Sequence, residues 1–333
     1  MLLVVLWHVS RKHYDDLAWV PAQVEQAWLG VNLVMQPLRV PLFFAISGLL
    51  ASRSIARPWR AVLRPRVLNG WWTYLVWLLV GTAFFAVGPP LGTSTPDDAA
   101  GLLVAAVLGG ANVWYLHALA AYFVVSKACA RLPLWVPLGA AAVLAVLADV
   151  PGVVPGQGNN YEAVLRNLVF FVVPALRPGV LTALVARARW RTALPAATGF
   201  LALSSALVAH GTAWSAGVRV LLGVLGVGAG MLLAVRAARA RPAAADLLGR
   251  LGQRTLPVYV LHLPLLALLQ AGVGALPDPQ GPFTGLVAAA YPLLAVAVLT
   301  AGALAVHRAL LAVGLGALFR LPASLPTMAR RRR

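Results

Sequence analysis

Few side chains in this 333-residue chain could do chemistry, and most of them sit inside apolar runs. His8 closes the run Leu2-Leu3-Val4-Val5-Leu6-Trp7. Imidazole titrates near neutral pH, so a histidine there is a candidate general base; the alternative is an interfacial histidine beside Trp7. Arg39 stands well inside a second apolar run, ~14 Å deep at the helical rise. At that depth an arginine must face the interior of a helix bundle and find a carbonyl, a carboxylate or an incoming ligand. Pro41 and then Ser47-Gly48 follow on the same run, where a bend or close packing is expected. A third group is Asn112-Val113-Trp114-Tyr115-Leu116-His117. Helical spacing puts Asn112 and Tyr115 on one face and Trp114 and His117 on an adjacent one. Trp114 reads as an interfacial anchor, and His117 lies deeper. Tyr259 and His262, three apart in another apolar run, share a face. Asn112, Tyr115, His117, Tyr259 and His262 are therefore candidates for holding a substrate, while His13, His210 and His307 read as interface or loop residues.

Other patterns carry less. Gly223, Gly226, Gly228 and Gly230 lie inside an apolar run with no preceding strand, so they read as close helix packing and not as a dinucleotide loop. Ser47-Gly48 lacks the flanking glycine of a nucleophile elbow. The sequence contains no HExxH, paired CxxC or phosphate-cradling loop, and its single cysteine, Cys129, excludes an internal disulfide and a cysteine-rich metal site. No metal is expected. Glu162 and Arg166, spaced i, i+4, read as a structural pair.

The elements that must position these groups are membrane helices. Hydrophobic residues make up 61% of the chain and charged residues 11%, against about 25% charged in soluble proteins. Mean hydropathy is +0.83. Apolar runs recur over 1–9, 30–51, 67–88, 113–130, 133–150, 164–185, 195–213, 217–235, 255–272 and 285–307, which predicts an all-α polytopic bundle of ten spans in a single domain, 1–333. The stretch 99–111 is too short to cross and reads as an interfacial or re-entrant lead-in.

The net charge of +18 has a topological explanation. Of the 27 Lys and Arg, 22 cluster at 53–66, 127–131, 177–191, 236–254 and 308–333. Eight of the nine acids lie in the intervening links. Such alternation is the positive-inside pattern, placing both termini and a basic tail, 308–333, in the cytoplasm. Because the basic stretches flank spans, nucleic-acid binding is not expected. No basic n-region precedes the first apolar run, so no cleavable signal is expected. That run, 1–9, is about half a crossing at 1.5 Å per residue, and a start further upstream is expected.

The ordered segments Leu3-Val4-Val5-Leu6-Trp7-His8, Arg39-Val40-Pro41-Leu42-Phe43-Phe44-Ala45-Ile46-Ser47-Gly48-Leu49, the basic link Arg60 to Arg66, Val113-Trp114-Tyr115-Leu116 and Val258-Tyr259-Val260-Leu261-His262 resemble the membrane-bound acyltransferase-3 family. The resemblance covers most of the chain and implies a multi-pass enzyme moving an acyl group, commonly acetyl, from cytoplasmic acyl-coenzyme A. The acceptors it implies are hydroxyls of glycans, lipid-linked sugars or small molecules. By resemblance His8 matches the family's essential first-helix histidine and Arg39 the arginine before its Pro-Leu-Phe-Phe run. An arginine that the family carries a few turns before that histidine has no counterpart here, in keeping with an upstream start.

His8 is accordingly expected to act as general base, or through an acyl-histidine, with Arg39 steadying the oxyanion or a polar acceptor group. Arg57, Arg60, Arg64 and Arg66 are expected to meet the phosphates of coenzyme A, a co-substrate and not a resident cofactor; the alternative is plain positive-inside topology. The competing class is a small-molecule transporter, which uses intramembrane His and Arg equally well, although the two-fold repeat common in transporters is not evident here.

Overall fold

In lipid a backbone has no water to bond, so apolar runs of this length fold as helices that satisfy their own N–H and C=O groups. The computed structural model describes residues 1–150, 152–154, 160–212, 215, 217–274, 278–279 and 281–323. Among these residues every regular element is helical. In chain order they are α1 (Leu2–Lys12), α2 (Ala22–Ile55), α3 (Trp59–Val62), α4 (Asn69–Val87), α5 (Ala99–Leu108), α6 (Trp114–Ala128) and α7 (Trp135–Leu147). Then follow α8 (Tyr161–Leu176), α9 (Pro178–Ala186), α10 (Trp190–Ala209), α11 (Val218–Ala240), α12 (Pro242–Gly252), α13 (Thr255–Val273) and α14 (Thr284–Ala312). A π-helical turn, Leu63–Leu68, joins α3 to α4, where Pro65 withholds an N–H from the helical ladder.

The polytopic bundle is as expected, but ten full-length spans are not. Six helical runs among the described residues are long and apolar enough to cross a membrane, and a seventh if α8 and α9 count as one. The run expected as one span at 164–185 is bent by 80°. Pro178 opens α9 and drives Arg177 out of the helical region, to φ −135° and ψ 67°. The runs at 1–9, 113–130 and 133–150 fold as the shorter helices α1, α6 and α7.

Glycines set how closely the helices approach. A Cβ on Gly48 of α2 would run into the backbone carbonyl of Phe171 on α8, and one on Gly226 of α11 would stand 3.3 Å from the Leu38 backbone. Gly223 meets the Phe170 ring and Gly230 the Leu38 side chain, whereas Gly228 faces open space. The expectation of close helix packing therefore holds for three of the four glycines.

Two apolar cores result. One joins Val5, Tyr74, Trp77, Leu266 and Leu299 from α1, α4, α13 and α14; the other joins Phe44, Tyr122, Ala141 and Phe171 from α2, α6, α7 and α8. Tyr259 packs against both.

The basic tail placed at 308–333 does not begin at 308. Helix α14 runs through His307 and Arg308 to Ala312. The segment beyond it docks on α4, with Trp72 and Trp77 donating from Nε1 to the carbonyls of Ala317 (2.8 Å) and Leu318 (2.7 Å). Phe319 is buried against Trp77. Arg330 to Arg333 lie outside the described residues.

Candidate active site

Helix α5 is started by Asp98, whose side chain accepts from the Gly101 N–H at 2.6 Å, and it stops at Gly109 with φ +84°, a left-handed position suited to glycine. The chain then turns through Ala111 (φ +64°) and restarts as α6. A break inside an apolar bundle leaves backbone groups that lipid cannot satisfy. Four side chains take them up. His117 donates from Nε2 to the Val107 carbonyl (3.1 Å), and Asn160 donates from Nδ2 to the Ala111 carbonyl (3.2 Å). The Tyr74 hydroxyl bonds to the carbonyls of Ala105 and Gly110. The Tyr259 hydroxyl donates to the Asn112 carbonyl and accepts from the Tyr115 N–H, each at 3.2 Å.

This break forms one wall of a cavity of about 350 Å³, in the size range of small-molecule sites. Helix α1 contributes Met1, Val4, Trp7, His8 and Lys12; α2 contributes Gln36, Arg39 and Pro41; the break contributes Asn112, Trp114 and Tyr115. Ser94, Asn160 before α8, Arg166 and Asn167 in its second turn, Arg219 at the start of α11, and Tyr259 complete the polar lining.

His8 opens onto this cavity, with its ring 5.1 Å from that of His262. The Nδ1 of His8 and the Nε2 of His262 are both enclosed and without a hydrogen-bond partner. The Nδ1 of His262 faces the carbonyls of Tyr259 (2.6 Å) and Val258 (3.2 Å). Those partners assign the proton to Nδ1 and leave Nε2 with its lone pair.

Arg39 is 8% exposed. Its guanidinium lies 4.6 Å above the Trp7 ring and donates to the side chain (3.2 Å) and carbonyl (3.0 Å) of Asn32. Asn32 is itself oriented by bonds to Ser10 and the Trp28 carbonyl. No carboxylate pairs with Arg39 among the described residues. Its charge is held by a ring face and an amide, an arrangement that keeps a cation in place without neutralising it.

The structure thus brings together His8, Arg39, Asn112, Tyr115 and Tyr259, with His262 immediately behind His8. It does not bring His117 to the cavity. That ring stacks on Trp71 at 5.9 Å and packs on Tyr74 and against Gly109, where a Cβ would collide with it; its place is under the break, not in the wall. Trp114, expected as an interfacial anchor, lines the cavity because α6 starts at the break. Arg57, Arg60, Arg64 and Arg66 are exposed at the far end of α2, outside the cavity lining. Arg57 is ~27 Å from Arg39 along the chain at the helical rise, and Arg64 donates to the Pro322 carbonyl at 2.6 Å.

The expected Glu162–Arg166 pair is replaced by a longer-range one. Arg166 bonds Asp149 at 2.6 Å, and Arg219 reaches the same carboxylate oxygen at 3.1 Å. Asp149, its two arginines, Lys12, Trp7 and Asn32 had no place in the site expected from sequence. One signal was available: outside the topological clusters the chain has five basic residues, Arg11, Lys12, Arg39, Arg166 and Arg219, and four of them line the cavity.

A helical membrane bundle with a histidine and an arginine that has no carboxylate partner among the described residues, both facing one cavity, defines a class of membrane sites built to handle a polar ligand. The family model described as an acyltransferase domain, acyltransferase-3, matches residues 1–305, and the chain belongs to that family. It is a multi-pass membrane acyltransferase. It is similar to the inner membrane protein YcfT of Escherichia coli (strain K12), 29% identical over 328 residues that cover 92% of this chain and 88% of that protein. No solved structure matches.

Proposed function

We propose that the protein transfers an acyl group, acetyl in the simplest case, from acyl-coenzyme A to a hydroxyl of a carbohydrate or other small acceptor held in this cavity. The observation that carries the reading is His8, with Arg39 close by, in the wall of a cavity the size of a small ligand. The acceptor oxygen attacks the thioester carbonyl carbon as His8 takes the hydroxyl proton. The carbon–sulfur bond breaks, the ester leaves, and the proton passes from His8 to the coenzyme A sulfur. The charge that develops on the carbonyl oxygen falls to the Arg39 guanidinium.

His262 is a positioning residue in this scheme. Its own proton is committed to the Tyr259 and Val258 carbonyls, its Nε2 keeps a lone pair, and its ring packs 5.1 Å from that of His8, holding the base in place. Arg57, Arg60, Arg64 and Arg66 meet the coenzyme's phosphates at the cytoplasmic face, with the thioester arm reaching inward. The alternation of basic and acidic links supports the same reading, with both termini in the cytoplasm and the protein in the cytoplasmic membrane.

The test is release of free coenzyme A thiol by the detergent-purified protein across a panel of acyl-coenzyme A donors and hydroxyl acceptors. Release that requires the acceptor and yields an acyl ester is expected. A folded, monodisperse protein that releases thiol from none of them contradicts the reading and favours a transporter.

A further inference from the structure

Lys12, Arg39, Arg166 and Arg219 line the cavity, and among the described residues no aspartate or glutamate does. The hydrogen bonds of Arg39 go to the neutral Asn32, and the Lys12 ammonium donates to the Gly92 carbonyl at 2.6 Å. Arg166 and Arg219 share one oxygen of Asp149, whose side chain is 2% exposed and whose second oxygen, Oδ2, is enclosed without a hydrogen-bond partner. Among the described residues Asp149 is thus the one carboxylate ion-paired with any of these four cations, with Glu162 acting on Arg219 from further off. Partly buried cations that converge on one cavity with this little counter-charge present a positive site to a charged ligand. Lys12 ends α1, Arg166 lies in the second turn of α8, Arg219 is in the first turn of α11, and Gly92, Ser94 and Asn160 lie beside them, all toward the end of the bundle opposite Arg57–Arg66.

From this convergence we infer that the Lys12–Arg166–Arg219 end of the cavity is a subsite for an anionic group, a carboxylate or a phosphate, carried by the acceptor itself. The substrate class is then an acidic sugar or a sugar phosphate, with its reacting hydroxyl at His8 and its negative group toward Arg166 and Arg219. Guanidinium groups suit both anions through paired N–H donors, and Gln36 and Asn167 in the same wall carry amides for the remaining hydroxyls. The inference rests on the acyl-acceptor reading of this cavity. It assigns these cations to the acceptor and not to the phosphates of coenzyme A, which share their chemistry.

The test reads binding rather than turnover. The thermal unfolding midpoint of the full-length, detergent-purified protein is followed with glucuronate, glucose 6-phosphate and glucose at constant ionic strength, and separately with coenzyme A. The two anionic sugars are expected to raise the midpoint saturably, less so at high salt, while glucose at equal concentration does not. Arg219→Gln is expected to weaken both anionic sugars roughly tenfold, the loss of about one charge-assisted contact, and to leave the response to coenzyme A unchanged. Lys12→Gln, at a helix end, gives the same readout should the Arg219 variant fold poorly.

Equal stabilisation by glucose and glucuronate, no stabilisation by either anionic sugar, or full binding by both variants would overturn the inference. So would a coenzyme A response lost together with Arg219, since the cations would then belong to the donor. Failure here leaves acyl transfer at His8 standing. Anion binding in a protein that transfers no acyl group would instead sink the catalytic reading alone.

Discussion

Two sets of positive charge in this molecule live in opposite surroundings. Arg57, Arg60, Arg64 and Arg66 are neighbours in sequence and exposed at one end of the bundle. Lys12, Arg39, Arg166 and Arg219 come from four helices far apart in sequence and converge on one cavity toward the other end. The first set follows the positive-inside pattern. The second consists of basic residues standing outside that pattern, each held by a named partner: Trp7 and Asn32 for Arg39, Gly92 for Lys12, Asp149 for the other two. Charge that is contiguous in sequence reports how a membrane chain is threaded, whereas charge that converges from separate helices reports what the bundle holds.

Substitutions at the two ends should separate them. The largest effect outside His8 is expected at Arg39. Arg39→Gln keeps hydrogen-bonding capacity toward Asn32 but removes the charge, and a loss of about 10²–10³ in kcat is expected if it steadies the oxyanion. Steady-state kinetics of coenzyme A release would show it, and unchanged kcat would reduce Arg39 to a packing role. His262→Ala should lower kcat by roughly ten- to a hundredfold, about 1.4–2.8 kcal/mol in the barrier, with the KM for acyl-coenzyme A unchanged. A change confined to the acceptor KM would instead make His262 a binding residue.

Tyr259→Phe probes the scaffold between the two ends. It strips the hydroxyl that joins the Asn112 carbonyl to the Tyr115 N–H, and a loss of about 1–3 kcal/mol in stability is expected from backbone groups left unsatisfied. A lower midpoint in thermal unfolding checks this. The smallest effect belongs to the far end: single glutamine substitutions at Arg57, Arg60, Arg64 or Arg66 should raise the KM for acyl-coenzyme A a few-fold without touching kcat, as exposed charge contacts in high dielectric are each worth ~1 kcal/mol or less. A fall in kcat from any of the four would erase the contrast.

Much of the site was legible because membrane interiors make polar residues conspicuous. His8, Arg39, Asn112, Tyr115 and Tyr259 interrupt apolar runs, and all five face the cavity. His117 interrupts such a run too, yet it serves the α5–α6 break; the cost of a bare carbonyl in lipid explains its presence as well as chemistry would. Arg166 was misread for a different reason. A local i, i+4 partner, Glu162, is visible in sequence, whereas Asp149 belongs to the segment before a long link, and its approach depends on α7 packing against α8. The count of spans failed at the short helices α1, α6 and α7 and at the α8–α9 bend, where Pro178 acts on the backbone in a way that average hydropathy over a window does not register. Lys12, Arg166 and Arg219, basic residues left outside the topological clusters like the legible Arg39, were the clearest unread signal.

The central claim is that His8 is the base for acyl transfer, and replacing it tests that claim most directly. His8→Ala removes one cavity-facing ring from α1 and substitutes the best helix former, so insertion and folding should persist. The measurement is acceptor-dependent coenzyme A release by equal amounts of monodisperse wild type and variant. The account predicts a fall of about 10²–10⁴ with the thermal midpoint nearly unchanged. A folded His8→Ala protein that retains turnover within a few-fold of wild type would contradict it.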